Sequence, residues 1–127
     1  LATGTTYKIE IDHPVLDPIR RNLPLEAAVQ DNMEALGISI DEDDGSRGSS
    51  DVGNLSHFLP AIQPYLAIVD PDAGIPAHSV GFCEATVTPR GREVTLNAAK
   101  MLAMTAYDYL TSDELRKRTG EDFDRRG

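Results

Sequence analysis

The chain has 127 residues, which allows one compact domain with a modest core and not two independent ones. Its 40% hydrophobic and 26% charged content is that of a folding chain and excludes wholesale disorder. A net charge of −9 excludes the clustered basic surface that nucleic acid or an anionic membrane would require.

In chain order, Tyr7, Ile9 and Ile11 alternate with Lys8, Glu10 and Asp12, a period-two pattern that predicts a strand over 5–12. His13-Pro14 and Asp17-Pro18 then predict an extended connector. Pro24 suits a helix start, and Leu25, Ala28, Val29, Asn32, Met33 and Leu36 recur at helical spacing up to a stop at Gly37. The run 41–50, without an apolar anchor, predicts a solvated loop, and residues 51–59 predict a short helix.

Tyr65-Leu66-Ala67-Ile68-Val69 is nearly continuously apolar and predicts a strand over 64–70 covered on both faces. Pro71, Gly74 and Pro76 predict an irregular loop carrying His78, Ser79 and Gly81. Thr88-Pro89 is an N-cap and first-turn pair. After it, Val94, Ala98, Met101, Leu102, Thr105, Ala106 and Tyr109 predict one buried stripe of a long helix. Ser112 caps a last, highly charged helix or turn. Strands mixed with helices predict an α/β fold, a mixed sheet covered by helices.

The residues alone supply little chemistry. Cys83 is the single cysteine, so no internal disulfide forms, and a buried, inert thiol is the expectation over a Cys83–His78–Asp51 triad. No apolar run approaches the roughly 20 residues of a membrane span, and the cytoplasm is the expected location. Zinc needs three or four donors, and the sequence has no His-Glu-x-x-His and no paired cysteines. Counted from Asp41, an EF-hand needs Gly at the sixth place and Glu at the twelfth, where Ser46 and Val52 stand. The glycine-rich run 45–53 lacks the Gly-Lys-Ser/Thr ending of a P-loop. His57 and His13 carry less signal than His78, which lies in the proline and glycine loop after the apolar run.

An ordered series of motifs adds a resemblance. Gly48-Ser49-Ser50-Asp51-Val52-Gly53-Asn54 is similar to a Gly-Ser-x-Asp-x-Gly-Asn loop. The apolar run 64–68 follows, then Ala77-His78-Ser79 with Phe82 and Glu84-Ala85, similar to His-Thr-x-x-Phe-x-Glu-Ala, then the long helix around 97–106. In that order they resemble the carboxy-terminal part of the co-catalytic zinc amidohydrolases and metallopeptidases, of aminoacylase, carboxypeptidase and aminobenzoyl-glutamate hydrolase type. Ser79 stands where Thr is commoner.

The resemblance implies that residues 1–14 end a lid domain and hinge and that 15–127 form the carboxy-terminal part of a zinc-exopeptidase-like catalytic domain. It further implies His78 as one ligand of a two-zinc centre, with manganese or cobalt as substitutes, and Ser50, Asp51, Gly53 and Asn54 as substrate-binding or supporting residues. The implied reaction is hydrolysis of N-acyl amino acids or small peptide amides by a metal-activated water, with no catalytic residue of its own in this segment. An inactive segment completed by the amino-terminal part of the same enzyme is the resulting expectation, in keeping with an opening, Leu-Ala-Thr-Gly, that lacks an initiator Met. Asp51 has a second reading as a helix N-cap. The rival account of the whole chain is a catalytically silent α/β binding or dimerisation module, with a homodimer open to either account.

Overall fold

A computed structural model describes residues 3–10, 15–40 and 50–126. Among the described residues, five α-helices run in the order α1 (Leu23–Ala35), α2 (Val52–Leu55), α3 (Val80–Ala85), α4 (Pro89–Thr111) and α5 (Asp113–Arg125), with a 3-10 turn at Pro71–Ala73. Among the described residues there is no strand, so the α/β expectation is corrected to an all-helical arrangement in which α1, α4 and α5 pack on one another.

Local chemistry explains the helix boundaries. Asn22 caps α1 by accepting from the Leu25 N–H at 3.2 Å, with proline in the first turn. Past its end, at Gly37, the Ile38 N–H bonds back to the Met33 carbonyl at 2.9 Å. Thr88 caps α4 through the Gly91 N–H at 3.0 Å. Gly91 is required there, because a Cβ would lie 2.3 Å from the Ala85 carbonyl oxygen where α3 hands over to α4. Ser112 ends α4 and caps α5 through the Leu115 N–H at 3.1 Å, so one residue makes the corner.

The apolar core is small. Val29, Met33 and Met101 form its centre, with Leu36, Ile38, Ile62 and Leu66 half-buried around them. Burying such side chains stabilises by about 1.5–3 kcal/mol each. Polar contacts complete the helix packing. Buried Asn32 donates to the Thr105 hydroxyl at 3.1 Å and to Asp108 at 2.9 Å, tying α1 to α4. Buried Asn22 donates to the Thr119 carbonyl at 3.0 Å, and the Leu23 N–H donates to Asp122 at 3.3 Å, tying α1 to α5. Arg20 lies over the Phe123 ring, 4.3 Å from its centroid.

Several expectations need correction. Residues 5–10 are exposed throughout and unpaired with any strand, while Ile11 and Asp12 lie outside the described residues. Residues 64–69 are likewise not a strand: their composition suits a sheet, but a sheet needs a hydrogen-bonded neighbour, and the described residues supply none. Leu66 instead packs on the helical core. On α4, Met101 and Thr105 are buried as expected, whereas Leu102 and Ala106 are exposed, because the face turned to α1 is the one where Asn32 meets Thr105 and Asp108. The expected helix over 51–59 is a single turn of α-helix followed by turns, and the solvated loop expected at 41–50 falls, apart from Ser50, outside the described residues.

Candidate functional site

The residues singled out from the sequence fall into two groups. Ser50, Asp51, Gly53 and Asn54 form the start of α2, which docks on the extended segment 15–20. Asn54 donates from its side-chain amide to the Val15 carbonyl at 2.8 Å and accepts from the Asp17 N–H at 3.2 Å. Ser56 accepts from the Arg20 N–H at 2.8 Å, and the His57 ring contacts the Pro18 carbonyl at 3.2 Å. Gly53 is buried with its Cα against this segment: an added Cβ would sit 1.9 Å from the Asp17 carbonyl oxygen. Only glycine permits that approach.

Ser50, not Asp51, organises the turn. Its hydroxyl accepts from the Val52 N–H at 3.0 Å and donates to the Gln63 side chain at 2.8 Å. Asp51 occupies the cap position but makes no capping hydrogen bond, and its side chain is exposed. Ser50 and Gly53 also line a groove of about 1320 Å³ whose other walls include Val29, Met33, Ile62 and Leu66. His78 is not among its lining residues.

His78 stands immediately before α3. Ser79 caps that helix, accepting from the Phe82 N–H at 3.1 Å and donating to the Pro76 carbonyl at 2.7 Å. His78 is exposed and holds a left-handed backbone with φ 60°, the single non-glycine residue with positive φ among those described. Such a conformation is uncommon for a non-glycine residue and is held here by the cap that follows it. Its imidazole makes no hydrogen bond or ion pair among the described residues, so both ring nitrogens are open to a ligand, as a metal-binding imidazole requires. A donor set is a different matter. No group of three or more His, Cys, Asp or Glu side chains able to hold a metal exists among the described residues, so one imidazole fits a metal and a closed site does not.

Cys83 is exposed on α3, contrary to the buried thiol expected, because α3 is short and presents that flank to solvent. The chain does not assemble a Cys83–His78–Asp51 triad through hydrogen bonds. The loop 71–81 is more regular than expected, holding the 3-10 turn and the start of α3.

What the sequence reading missed is the polar docking of α2, although Gly53, Asn54, Ser56 and His57 crowded into one turn were a signal of it. Also missed was Asp122, buried on α5 at 2% exposure. Burial pushes its carboxyl up, but hydrogen bonds from Arg125, Arg126 and the Leu23 N–H, together with the Arg126 charge, hold it below the ordinary carboxylate value. Its place three residues after Thr119 and four before Arg126, inside a charged helix, gave no apolar signal to read.

No family model matches the chain. Among curated proteins it is similar to the Xaa-Arg dipeptidase of Homo sapiens, at 34% identity over 127 aligned residues and 97% of this chain. It is similar to the Xaa-Arg dipeptidase of Mus musculus at 33% identity, again over 97% of this chain. The chain spans 28% and 29% of the lengths of these two relatives. This likeness to two dipeptidases along almost its entire length is consistent with the metallopeptidase resemblance carried by the motif series around His78.

Proposed function

We propose that these residues are one part of a metal-dependent peptidase that hydrolyses the amide bond of small peptides or acylated amino acids, and that His78 is one ligand of its metal centre. The observation that carries this reading is an exposed imidazole without a partner among the described residues, placed just before the α3 cap in a left-handed backbone, in a chain similar to two dipeptidases. In the fuller reading the centre holds two zinc ions, the lid segment ends near residue 14, and the remaining ligands and the proton-transferring carboxylate come from the amino-terminal part of the enzyme.

Bound metal would polarise the scissile carbonyl and make water a nucleophile near neutral pH. The chain's own residues have narrower tasks. His78 would offer a ring-nitrogen lone pair to the metal. Ser79 anchors the turn by bonding on both sides of it, to the Pro76 carbonyl and the Phe82 N–H. Removing such a cap costs about 0.5–2 kcal/mol and would let the imidazole wander, which suffices to impair a ligand that must be held to within a fraction of an ångström. Gly53 and Asn54 act as supports in this reading, pinning the 15–20 segment along one wall of the groove, while Ser50 braces the turn through Val52 and Gln63.

The test is hydrolysis of a dipeptide set by the protein in the length its gene encodes, before and after metal removal by a chelator. Activity that disappears with the metal and returns on adding zinc, manganese or cobalt is expected. Hydrolysis that survives complete metal removal, or no hydrolysis of any dipeptide or N-acyl amino acid by the metal-loaded protein, overturns the proposal.

A further inference from the structure

α1, α4 and α5 pack on one another, and α3 stands outside that set. No side chain of α3 makes a hydrogen bond or ion pair with those three helices among the described residues. Apart from the packing of buried Ala85, the hydrogen bonds that fix α3 on the bundle run through the corner of residues 86–91. The carbonyl end of α3 is fully engaged there. The Thr86 hydroxyl donates to the Cys83 carbonyl at 2.7 Å, and the Val87 N–H donates to the Glu84 carbonyl at 3.3 Å. Thr88 donates twice to the Ala85 carbonyl, from its N–H at 3.2 Å and from its hydroxyl at 2.7 Å.

The Thr88 hydroxyl also has a second task. It accepts from the Gly91 N–H at 3.0 Å, so one oxygen holds the last carbonyl of α3 and the first turn of α4 at once. A hydroxyl has one proton to give and lone pairs to receive with, and at this corner both roles are filled. Its neighbours leave little slack. Pro89 fixes its own φ, and an added Cβ at Gly91 would lie 2.3 Å from the Ala85 carbonyl oxygen and 2.7 Å from that of Thr86.

His78 lies at the far end of this arm. The six residues Val80–Ala85 span about 9 Å, so a tilt of about 10° at the corner displaces the start of α3 by about 1.6 Å. A metal–ligand bond tolerates only about 0.2 Å. Ser79 fixes His78 on α3, and the corner fixes α3 on α4; the two act in series, so loosening either one moves the imidazole. We infer that Thr88 is a positioning residue for His78: its hydroxyl, shared between the Ala85 carbonyl and the Gly91 N–H, sets the angle of α3 on α4 and thereby the place of the imidazole. Thr88 acts only through α3. This inference rests on the reading of His78 as a metal ligand.

The test measures zinc affinity, by competition with a chelator, and the visible absorption of the cobalt-substituted protein, which reports coordination geometry, both on the gene-length protein. Thr88→Val keeps the shape of the side chain and removes the hydroxyl; it is expected to weaken zinc binding about tenfold and to shift the cobalt bands, as loss of a support behind a ligand does. Thr88→Ser returns the hydroxyl and is expected to restore both. Thr88 is exposed, so no cavity forms in any of these variants, and Thr88→Ala repeats the loss without a branched side chain at the helix start. Ser112→Ala is the control for a purely structural role: it removes a cap of the same kind at the other end of α4, and is expected to lower the melting temperature while leaving zinc affinity and the cobalt bands unchanged. Zinc binding by Thr88→Val and Thr88→Ala within about twofold of the parent, when His78→Ala has lost its zinc, overturns this inference and leaves the metal reading standing. Failure of Thr88→Ser to restore the cobalt bands, or an equal effect of Ser112→Ala, also overturns it. Undiminished zinc in His78→Ala overturns the metal reading and this inference together.

Discussion

The bundle of α1, α4 and α5 and the motif-bearing stretch from Ser50 to Ala85 are built on different principles. In the bundle, side chains from separate helices meet: Met101 lies between Val29 and Met33, Asn32 reaches Thr105 and Asp108, and Asn22 reaches α5. In the motif stretch, order comes from short-range or backbone-directed hydrogen bonds, Ser79 to Pro76 and Phe82, Asn54 to Val15 and Asp17, with few buried apolar groups. The first region is held by contacts between its helices. The second holds a conformation, chiefly the backbone of His78 and the approach of Gly53 to Asp17, and presents it outward.

The contrast can be broken most severely at Met101, which is 1% exposed. Met101→Ala should cost about 2–5 kcal/mol in urea unfolding, because the cavity lies between two helices that cannot collapse independently. Gly53→Ala should cost less, about 1–3 kcal/mol. It should also release the 15–20 segment to hydrogen exchange while α1, α4 and α5 stay protected. Equal loss of protection in both regions would show that they are one cooperative unit.

The smallest effect concerns acid. The Asp122 carboxyl is held below its ordinary value, so its contribution is present above the unfolded-state carboxylate pKa, near 4, and is lost as pH falls from there through the folded value. Asp122→Asn should flatten the acid limb of the stability profile and leave its slope above pH 6 unchanged. An unaltered acid limb would contradict the assignment of the α1–α5 contact to the charged carboxylate.

The same contrast explains what could be read from the sequence. Helices announced themselves because their caps are local: Pro24 at the start of α1, Thr88-Pro89 and Ser112 each sit within a few residues of the N–H groups or helix they serve. The 64–69 segment was misread because β-branched and aromatic composition reports how well a residue suits a sheet, and a sheet is completed by a neighbour that local sequence does not contain. The stripe of α4 was read about one residue off at Leu102 and Ala106, since the helix is apolar on two sides and its inner face is chosen by polar partners, Asn32 above all. At the candidate site, the motif singled out His78 but not its left-handed backbone or the α3 cap, because proline and glycine around it pointed to an irregular loop. The buried thiol expected at Cys83 rested on the general tendency of cysteine to be buried, which a six-residue helix with one exposed flank does not satisfy.

The central claim is that His78 is exposed and fixed in order to bind metal. Metal content measured on the gene-length protein and on its His78→Ala variant tests it most directly, with urea unfolding as the control for folding. The account predicts that the variant keeps its stability to within about 0.5 kcal/mol, as expected for an exposed side chain, while losing bound metal and peptide hydrolysis together. Full metal occupancy and undiminished hydrolysis in His78→Ala would contradict it.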